Sequence, residues 1–369
     1  MRVRTQLKDI VSFSKGKQIN GDELLVSGKY DYLNGGVLPS GKWNEYNTAG
    51  ETVTISEGGN SCGFVNFMEK PFWCGAHCYY LFEPKINAKY LYYALKSKQS
   101  NLMKIRSGAC MPNIKKNDLG KFKIVYDTDS NEQFKTIKVL DTVSLMIVAC
   151  QKQLQKLDEL VKSRFIEMFG DPVTNLKGWT TKPLLDMGNC KNGMNFHTGD
   201  SGMEMHCLGV GDFKDLSFID GTDHLPVISL NEAPPEESML RDGDIVFVRS
   251  NGNKALVGRC LVVYPRNTPT TYSGFCIRYR LTSSEVDTTY LLRVLKTDSM
   301  RKKMAGRGAN IQNLNQQILS ALDIPLPPIK LQQAFAAFVE QVDKSEIAVQ
   351  QALDKAQLLF DSLMQKYFG

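Results

Sequence analysis

Two clusters of basic residues lie around glycine-led loops, and their composition suits the binding of phosphate groups. The first cluster surrounds Ser107-Gly108-Ala109 and the second surrounds Gly308-Ala309. Glycine lets backbone amides come close to an anion, and lysine and arginine neutralise its charge. The basic residues are Lys96, Lys98, Lys104, Arg106, Lys115 and Lys116 in the first cluster and Arg293, Lys296, Arg301, Lys302, Lys303 and Arg307 in the second. A solvated helix face is the alternative interpretation of each cluster.

Polar turns elsewhere in the chain carry side chains that could read the edges of nucleic-acid bases. Asparagine, arginine and lysine match the hydrogen-bond donors and acceptors of base edges. Candidates in the first half are Lys15, Lys17, Asn20, Lys42 and Asn60. Candidates in the second half are Lys191, Asn192, Asn195, Arg249, Asn251, Asn253 and Lys254. Surface loops are rich in these residue types, so an ordinary solvated loop is the alternative for each one.

The sequence offers little support for catalysis. It has no Walker A motif, no H-E-x-x-H and no dinucleotide-binding fingerprint, and it lacks the Asn/Asp-Pro-Pro-aromatic motif of amino-group methyltransferases. Cys74, His77 and Cys78 form the tightest group of possible metal ligands, but a closed zinc site needs four ligands in paired spacings. We therefore expect a non-catalytic protein with no metal or cofactor of its own.

A β-rich region followed by a helix must position the first set of candidates. Short apolar runs such as Thr52–Ser56, broken by glycine-rich turns, predict strands. Asn87 can cap a helix that runs through Ile105 and stops before Gly108. Residues 121–126 then predict a closing strand.

The second half of the chain repeats this pattern. Residues 87–124 align without a gap with residues 287–324, and the turn that begins at Arg249 corresponds to the turn that begins at Glu57. A period of about 200 residues indicates two copies of a whole domain rather than small stacked repeats. Because the scaffold agrees while the turns differ, the two copies should recognise different sequences.

Two long amphipathic segments follow the two copies. Apolar residues recur at three-and-four spacing from Leu140 to Val161 and from Val339 to Leu363, which is typical of helices that pack along a seam. Each segment is too long to be buried in one small domain, so we predict that the two pair antiparallel and hold the domains apart. The predicted organisation is an α+β fold with β-rich domains at 1–128 and 171–328 and helical spacers at 129–170 and 329–369.

The composition is that of a globular protein, with 369 residues of which 42% are hydrophobic and 23% are charged. The net charge of +6 is compatible with a polyanionic partner but does not require one. Nine scattered cysteines suit reduced thiols in a cytoplasm. Because no apolar stretch resembles a signal peptide or a membrane span, we expect a soluble cytoplasmic protein.

With these elements in order, the chain resembles the specificity subunit of type I restriction-modification systems over essentially all of its length. The residues that carry the resemblance are 108–114 with their copy 308–314, the exit Ile324-Pro325-Leu326-Pro327-Pro328 into Gln332-Gln333, and the endings 165–170 and 363–369. The first exit, Ile124–Asp127, departs from the family pattern because it lacks the proline pair.

The resemblance implies two target recognition domains, an antiparallel coiled coil and a pseudo-two-fold internal repeat. It implies a non-catalytic subunit that reads a bipartite sequence in double-stranded DNA and directs two adenine-N6 methyltransferase subunits and the restriction subunits to it. Those partners would bind S-adenosylmethionine, ATP and magnesium. The alternatives are the recognition part of a fused methylase-nuclease and a coiled-coil scaffold that does not bind DNA.

Overall fold

The first β-rich region consists of short strands followed by three helices. The computed structural model describes residues 1–108, 112–197, 199–214, 216–305 and 313–369. The strands are β1 Arg2–Gln6, β2 Ser12–Lys15, β3 Tyr30–Leu33, β4 Gly41–Trp43, β5 Thr52–Ser56, β6 Val65–Met68, β7 Trp73–Cys74, β8 Cys78–Phe82 and β9 Lys123–Asp127. The helices are α1 Ala88–Lys96, α2 Gln99–Lys104 and α3 Lys116–Lys121. A long helix, α4, follows at Ser130–Phe169.

The second β-rich region has the same order of elements apart from one additional strand, β13, and ends in a second long helix. Its strands are β10 Thr181–Pro183, β11 Gly188–Asn192, β12 Met203–Leu208, β13 Phe218–Asp220, β14 Val227–Leu230, β15 Asp244–Val248, β16 Cys260–Tyr264, β17 Thr270–Tyr272, β18 Cys276–Leu281 and β19 Asp323–Pro325. Its helices are α5 Thr288–Lys296, α6 Asp298–Ala305, α7 Gln316–Ser320 and α8 Ile329–Phe368.

The sheets of the two regions share one topology, which confirms the internal repeat. The main sheets have the strand orders β2-β8-β5-β6 and β11-β18-β15-β16-β13, so the second sheet carries β13 as an additional edge strand among the described residues. Each small sheet has a central strand that is antiparallel to one neighbour and parallel to the other, in the orders β4-β3-β7 and β14-β12-β17. The antiparallel ribbons β1-β9 and β10-β19 complete the correspondence.

The predicted cap at Asn87 is confirmed, but the helix that follows is not continuous. The Asn87 side chain accepts hydrogen bonds from the backbone amides of Lys89 and Tyr90. The Ser97 hydroxyl then donates to the Ala94 carbonyl, and Lys98 leaves helical geometry with φ −109° and ψ 15°. The predicted single helix is therefore two helices, α1 and α2, because the polar side chain after α1 competes for the helical carbonyl groups.

A buried glutamine joins each β-rich region to its long helix. Gln133 on α4 accepts from the backbone amide of Asn87 at 3.0 Å, and Gln332 on α8 accepts from that of Asp287 at 2.9 Å. The exposed fractions of these side chains are 3% and 0%. Asn87 and Asp287 both cap the helix that follows them, so cap and anchor recur together in the two copies.

The chain forms two compact units, each of which contains one β-rich region and parts of both long helices. The first unit comprises residues 1–153 and 349–369, and the second comprises residues 154–348. In the first unit, Leu140 of α4 and Phe368 of α8 belong to one apolar core. In the second unit, the Phe165 and Phe335 rings lie 5.5 Å apart between centroids. The start of α4 thus packs with the end of α8 and the end of α4 with the start of α8, which is antiparallel pairing.

The burial pattern of the long helices confirms the predicted seams. Leu140, Val143 and Val161 are buried on α4, and Val339 and Val342 are buried on α8, whereas most intervening positions are exposed. Each helix has 40 residues. No helix in the described part of the chain is both long enough and apolar enough to cross a membrane.

Candidate nucleic-acid interface

The turn after β5 and the loop before α3 lie against each other in the first unit. Gly58 forms an isolated bridge with Asn113, and the amide of Ile114 donates to the carbonyl of Glu57 at 2.8 Å. The second unit repeats this arrangement, with a bridge between Ser250 and Asn313. The two turns identified in the sequence are therefore structural counterparts.

Three side chains meet where β2, β5 and β8 reach the same end of the first main sheet. Lys15 is the last residue of β2, Glu57 follows β5, and His77 precedes β8. The Lys15 Nζ lies 2.5 Å from one carboxylate oxygen of Glu57, and the His77 Nδ1 lies 3.4 Å from the other. We call these residues the Glu57 cluster. The carboxylate is 13% exposed while its partners are 44% and 63% exposed, so the cluster presents polar groups to solvent around a fixed acceptor.

The equivalent position in the second unit holds different chemistry. Asn192 ends β11, Arg249 follows β15, and Phe275 precedes β18. The backbone frame is the same, because the amide of Arg249 donates to the carbonyl of Phe275 at 2.8 Å just as Glu57 donates to His77 at 2.9 Å. We call these residues the Arg249 cluster. Phe275 is 60% exposed, so its ring lies at the surface beside the turn.

Sequence reasoning identified Lys15, Asn192 and Arg249 but missed Glu57, His77 and Phe275. Those three residues gain significance only through the pairing of β5 with β8 and of β15 with β18. The repeat itself contained a usable signal, since the turns at Glu57 and Arg249 had already been matched. Carrying that match on to the later strands β8 and β18 would have found His77 and Phe275.

Several predicted second-unit residues collect beside the Arg249 turn. The Asn251 side chain accepts from the amide of Asn253 at 2.8 Å, and the Asn253 side chain accepts from the amide of Ala255 at 3.1 Å. Lys254, in the same turn, is exposed. Arg301 reaches the turn from α6, where its Nη2 donates to the carbonyl of Ala255 at 3.1 Å. The side chains of Asn251, Asn253 and Arg301 therefore stabilise the conformation of this turn, and they also lie at its surface.

Arg249 and Asn195 approach the same glycine. The Nη1 of Arg249 donates to the carbonyl of Gly274 at 3.3 Å. A Cβ atom at Gly274 would lie 2.1 Å from the side-chain oxygen of Asn195, so a larger residue there would displace that side chain. Asn195 is exposed, and it thus lies next to the Arg249 cluster.

Three other predicted base-reading residues bond to acidic side chains, and two more are exposed. Lys42 on β4 forms an ion pair with Asp31 at 2.8 Å. Lys191 on β11 forms an ion pair with Glu237. Asn20 donates to the Glu23 carboxylate at 3.2 Å. Lys17 and Asn60 are exposed residues of loops.

The predicted phosphate clusters divide into exposed and internal members. Lys104, Arg106, Lys115, Lys116, Lys302 and Lys303 are exposed. Arg301 is half-buried, and burial lowers the pKa of its guanidinium. Arg307 lies outside the described residues, as do Ala109 and the rest of the segment 306–312. The exposed members are the ones available to a polyanion.

Two lysines of these clusters are corrected by the structure. Lys96 Nζ donates to Gln99 at 2.9 Å and to the carbonyl of Val65 at 3.3 Å. Lys296 Nζ donates to the hydroxyl of Ser217 at 2.9 Å. Burial lowers the pKa of both ammonium groups. These lysines fasten a helix to the sheet in both copies, so they are not surface contacts for phosphate.

The segment Gly59–Gly63 has the G-x-S-x-G spacing of a hydrolase nucleophile elbow. That elbow requires a turn from a strand into a helix, whereas this segment connects strand β5 to strand β6. The Ser61 hydroxyl donates to the carbonyl of Gly35 at 2.6 Å. Ser61 is therefore explained as a residue that stabilises a turn.

Cys74 and Cys78 are buried with Leu33 and Phe72 in a small core beside the main sheet. His77 is exposed, and its ring faces Glu57 instead of the two thiols. No group of three or more His, Cys, Asp or Glu side chains among the described residues is arranged to hold a metal ion.

The chain is similar to specificity proteins of type I restriction systems. A family model described as the type I restriction modification DNA specificity domain matches residues 3–159 and 236–357. The type I restriction enzyme StySPI specificity subunit of Salmonella potsdam is 27% identical over 346 residues, which cover 86% of this chain and 73% of that protein. Mycoplasma genitalium and Mycoplasma pneumoniae proteins named as type I specificity subunits are 34% and 32% identical. The matches span only 37% and 40% of those two relatives.

Solved structures share the fold. The crystal structure of a type I restriction-modification system S subunit from M. genitalium has a TM-score of 0.66 with 20% identity, and the match covers 100% of this chain and 96% of that one. A structure described in terms of the assembly and conformational transition of the type I R-M system has a TM-score of 0.55 with 14% identity, covering 99% and 97%.

Proposed function

Because this chain belongs to the type I restriction-modification DNA specificity domain family, we propose that it is the specificity subunit of such a system. Each β-rich domain would read one half of a bipartite sequence in double-stranded DNA. The observation that carries the proposal is the structural correspondence between the Glu57 cluster of the first unit and the Arg249 cluster of the second. One backbone frame, built twice, presents a carboxylate in one copy and a guanidinium in the other.

The chemistry of the two clusters supports different targets. A carboxylate accepts from the N4 amino group of cytosine, whereas an arginine donates to O6 and N7 of guanine. An exposed phenyl ring such as Phe275 suits contact with the methyl group of thymine. The exposed lysines around the glycine-led loops would contact phosphates, which position a protein on DNA without specifying the sequence.

The long helices would set the distance between the two half-sites. In this proposal residues 1–128 and 171–328 are the recognition domains, and residues 129–170 and 329–369 are the spacers. Inserting seven residues after Gln153 in α4 and seven after Ala348 in α8 would lengthen both helices by about 10.5 Å. We expect the unread spacer to grow by about three base pairs at 3.4 Å each, with both half-sites unchanged. A constant spacer with altered half-sites would contradict this role.

The chain itself would be non-catalytic and would act in the cytoplasm. Two adenine-N6 methyltransferase subunits and the restriction subunits would carry out the chemistry, and they would bind S-adenosylmethionine, ATP and magnesium. The duplicated clusters favour this role over a scaffold that ignores DNA, because a scaffold has no use for two divergent polar surfaces on one frame.

Co-expression with the methyltransferase subunit in a host without other adenine methylation tests the proposal. Sequencing that detects methylated adenine should reveal one bipartite motif in the genome. The chain without its partner should leave the genome unmethylated. Methylation by the chain alone would instead identify an enzyme, and a partner that methylates the same sites without the chain would identify a scaffold.

A further inference from the structure

Two aliphatic side chains project from the loop that joins β3 to β4 in the first unit. Val37 is 49% exposed and Leu38 is 74% exposed. Pro39 follows them, and a proline disfavours helical backbone geometry at the residue before it, here Leu38. We call Val37 and Leu38 the Leu38 tip. The Glu57 cluster contains neither residue, so base reading by that cluster leaves the Leu38 tip without a role.

Hydrogen bonds hold this loop against the Glu57 cluster. The carbonyl of Gly35 accepts from the hydroxyl of Ser61 at 2.6 Å and also from that of Ser56, the last residue of β5. The Asn34 side chain accepts from the backbone amide of His77 at 3.1 Å. Gly35 has a φ of +82°, and a Cβ atom there would lie 2.3 Å from the carbonyl oxygen of His77, so this close approach requires glycine. The loop is therefore fixed beside His77, and the Leu38 tip follows directly along the chain.

The corresponding loop of the second unit turns its first two large apolar side chains inward. The loops begin after Leu33 and Leu208, the last residues of the central strands β3 and β12. Each of these leucine carbonyls accepts a backbone hydrogen bond at 2.9 Å from the turn before β8 or β18. After Leu208, Val210 is half-buried against the core of the domain, and Phe213 is 3% exposed within it. Exposure of the Leu38 tip is therefore a feature of the first copy and not of the shared scaffold.

The surroundings of the Leu38 tip favour DNA over a protein as its partner. A stable protein interface buries about 800 Å² on each side. Two aliphatic side chains next to the exposed polar groups of Lys15 and His77 offer much less. A Glu57 carboxylate that accepts from the N4 amino group of cytosine would lie in the major groove, where the C5 methyl group of thymine is the apolar group on the base edges. An apolar tip beside Glu57 therefore matches thymine.

We propose that the Leu38 tip contacts the C5 methyl group of a thymine beside the base that Glu57 reads. The tip would add an apolar contact to the polar contacts of the Glu57 cluster and would favour an A·T pair at that position. Because bonds to Gly35 and Asn34 already hold the loop in place, few groups would have to be ordered on binding. The inference rests on the proposed function, since it assumes that the first domain reads a half-site from the major groove.

Replacing thymine with uracil tests the contact, because it removes the methyl group and leaves the hydrogen-bonding groups of the base edge in place. The probe is the duplex that the complex of the full-length chain with the methyltransferase subunit selects from random DNA, with each thymine of both half-sites replaced in turn. We expect the affinity, measured by fluorescence anisotropy, to fall about four-fold at one thymine near the Leu38 tip, which is the effect of leaving one methyl group unburied. That thymine should lie in the half-site that E57Q alters.

The variant L38A should lower the affinity for the thymine duplex by about four-fold. The uracil replacement at the same position should then cost less than about two-fold. The melting temperature of L38A should match that of the unaltered chain, because the Leu38 side chain is largely exposed. The matched control L176A shortens a leucine that is 90% exposed between α4 and β10 in the second unit. It should keep both the affinity and the sensitivity to uracil.

The outcomes separate the thymine contact from the proposed function. Equal sensitivity to uracil in L38A and in the unaltered chain would overturn the contact, and so would a first half-site in which no replacement changes the affinity. If L38A leaves the DNA affinity unchanged but weakens binding of the methyltransferase subunit, the Leu38 tip is a protein contact and thymine is rejected. If the unaltered complex selects no bipartite sequence, the proposed function itself fails.

Discussion

The Glu57 cluster and the Arg249 cluster share a backbone frame, but the turn residue is a carboxylate in the first and a guanidinium in the second. In the first cluster the amide of Glu57 donates to the carbonyl of His77 at 2.9 Å. In the second the amide of Arg249 donates to the carbonyl of Phe275 at 2.8 Å. In the first cluster a carboxylate is held between Lys15 and His77, whereas the second has a guanidinium beside an exposed phenyl ring. Duplication thus preserved the frame while the side chains at its rim diverged.

The packing between α1 or α5 and the long helix shows the same divergence at an internal position. The first unit fills it with Phe67, Tyr92 and Lys89, and the second leaves a hollow of about 460 Å³ between α5, α8 and the β13-β16 edge of the sheet. The buried glutamine anchors did not diverge, because each satisfies a backbone amide that would otherwise lie buried without a partner. Positions with obligatory polar partners were conserved between the copies, and positions that can be filled in more than one way were not.

The largest expected effect comes from breaking one anchor. Gln332 makes three hydrogen bonds, to the amide of Asp287 and to the carbonyls of Glu285 and Pro327. We expect Q332A to lower the free energy of unfolding by about 2–4 kcal/mol, because buried backbone groups lose their partners. Denaturant unfolding followed by circular dichroism would measure this change.

The exposed neighbour Gln333 is the matched control, and Q333A should change the free energy of unfolding by less than about 0.5 kcal/mol. The counterpart Q133A should lie between them, because Gln133 makes two such bonds. Equal losses for Q332A and Q333A would contradict the anchoring role.

Removing the charged group from either cluster should alter one half-site at a time. We expect R249A to reduce discrimination by about 1–3 kcal/mol at one position of the half-site read by the second domain. E57Q should do so only in the half-site read by the first domain. Selection of bound sequences from random DNA by the complex with its methyltransferase subunit would measure both.

A change in both half-sites on altering one cluster would show that the domains do not read independently. An unchanged sequence preference for both variants would remove the clusters from the interface. Melting temperatures measured in parallel would show whether R249A acts through the loss of its bond to Gly274 instead.

The smallest expected effect concerns DNA affinity, to which the exposed Lys302 and Lys303 should contribute through phosphate contacts, whereas Arg301 should mainly stabilise a turn. The double variant K302A/K303A removes two exposed cations and should weaken binding to all DNA sequences, lowering the slope of log affinity against log salt by about 2. R301A should chiefly lower the melting temperature, because Arg301 bonds to the carbonyl of Ala255. An unchanged salt slope for the double variant would exclude this surface from phosphate contact.

Much of the fold follows from local patterns. The apolar seams predicted α4 and α8, the Asn87 cap predicted the start of α1, and the repeat placed the start of α5 at the matching position. The division of α1 from α2 was missed, because the hydroxyl of Ser97 turns back to the helix and no periodicity reports that bond. Long helices and caps are predictable because they depend on residues within four positions of one another.

The candidate site was only partly predictable for a related physical reason. Lys96 and Lys296 look like surface charges in the sequence, but strands far along the chain bury them and accept their hydrogen bonds. Lys191 looked equally available, yet Glu237 lies beside it in the folded domain. Local composition cannot distinguish a solvated lysine from a lysine that fastens two elements.

The sequence by itself determined that this protein has two copies of one domain, each followed by a long amphipathic helix, because repeats and helical periodicity are properties of neighbouring residues. Tertiary structure alone decided which polar groups meet. The Glu57 cluster brings together residues from β2 and from the ends of β5 and β8, and a hollow of about 460 Å³ remains where α5, α8 and the β13-β16 edge of the sheet meet. Such contacts depend on strand register and side-chain volume across distant segments, which act only when the chain is folded.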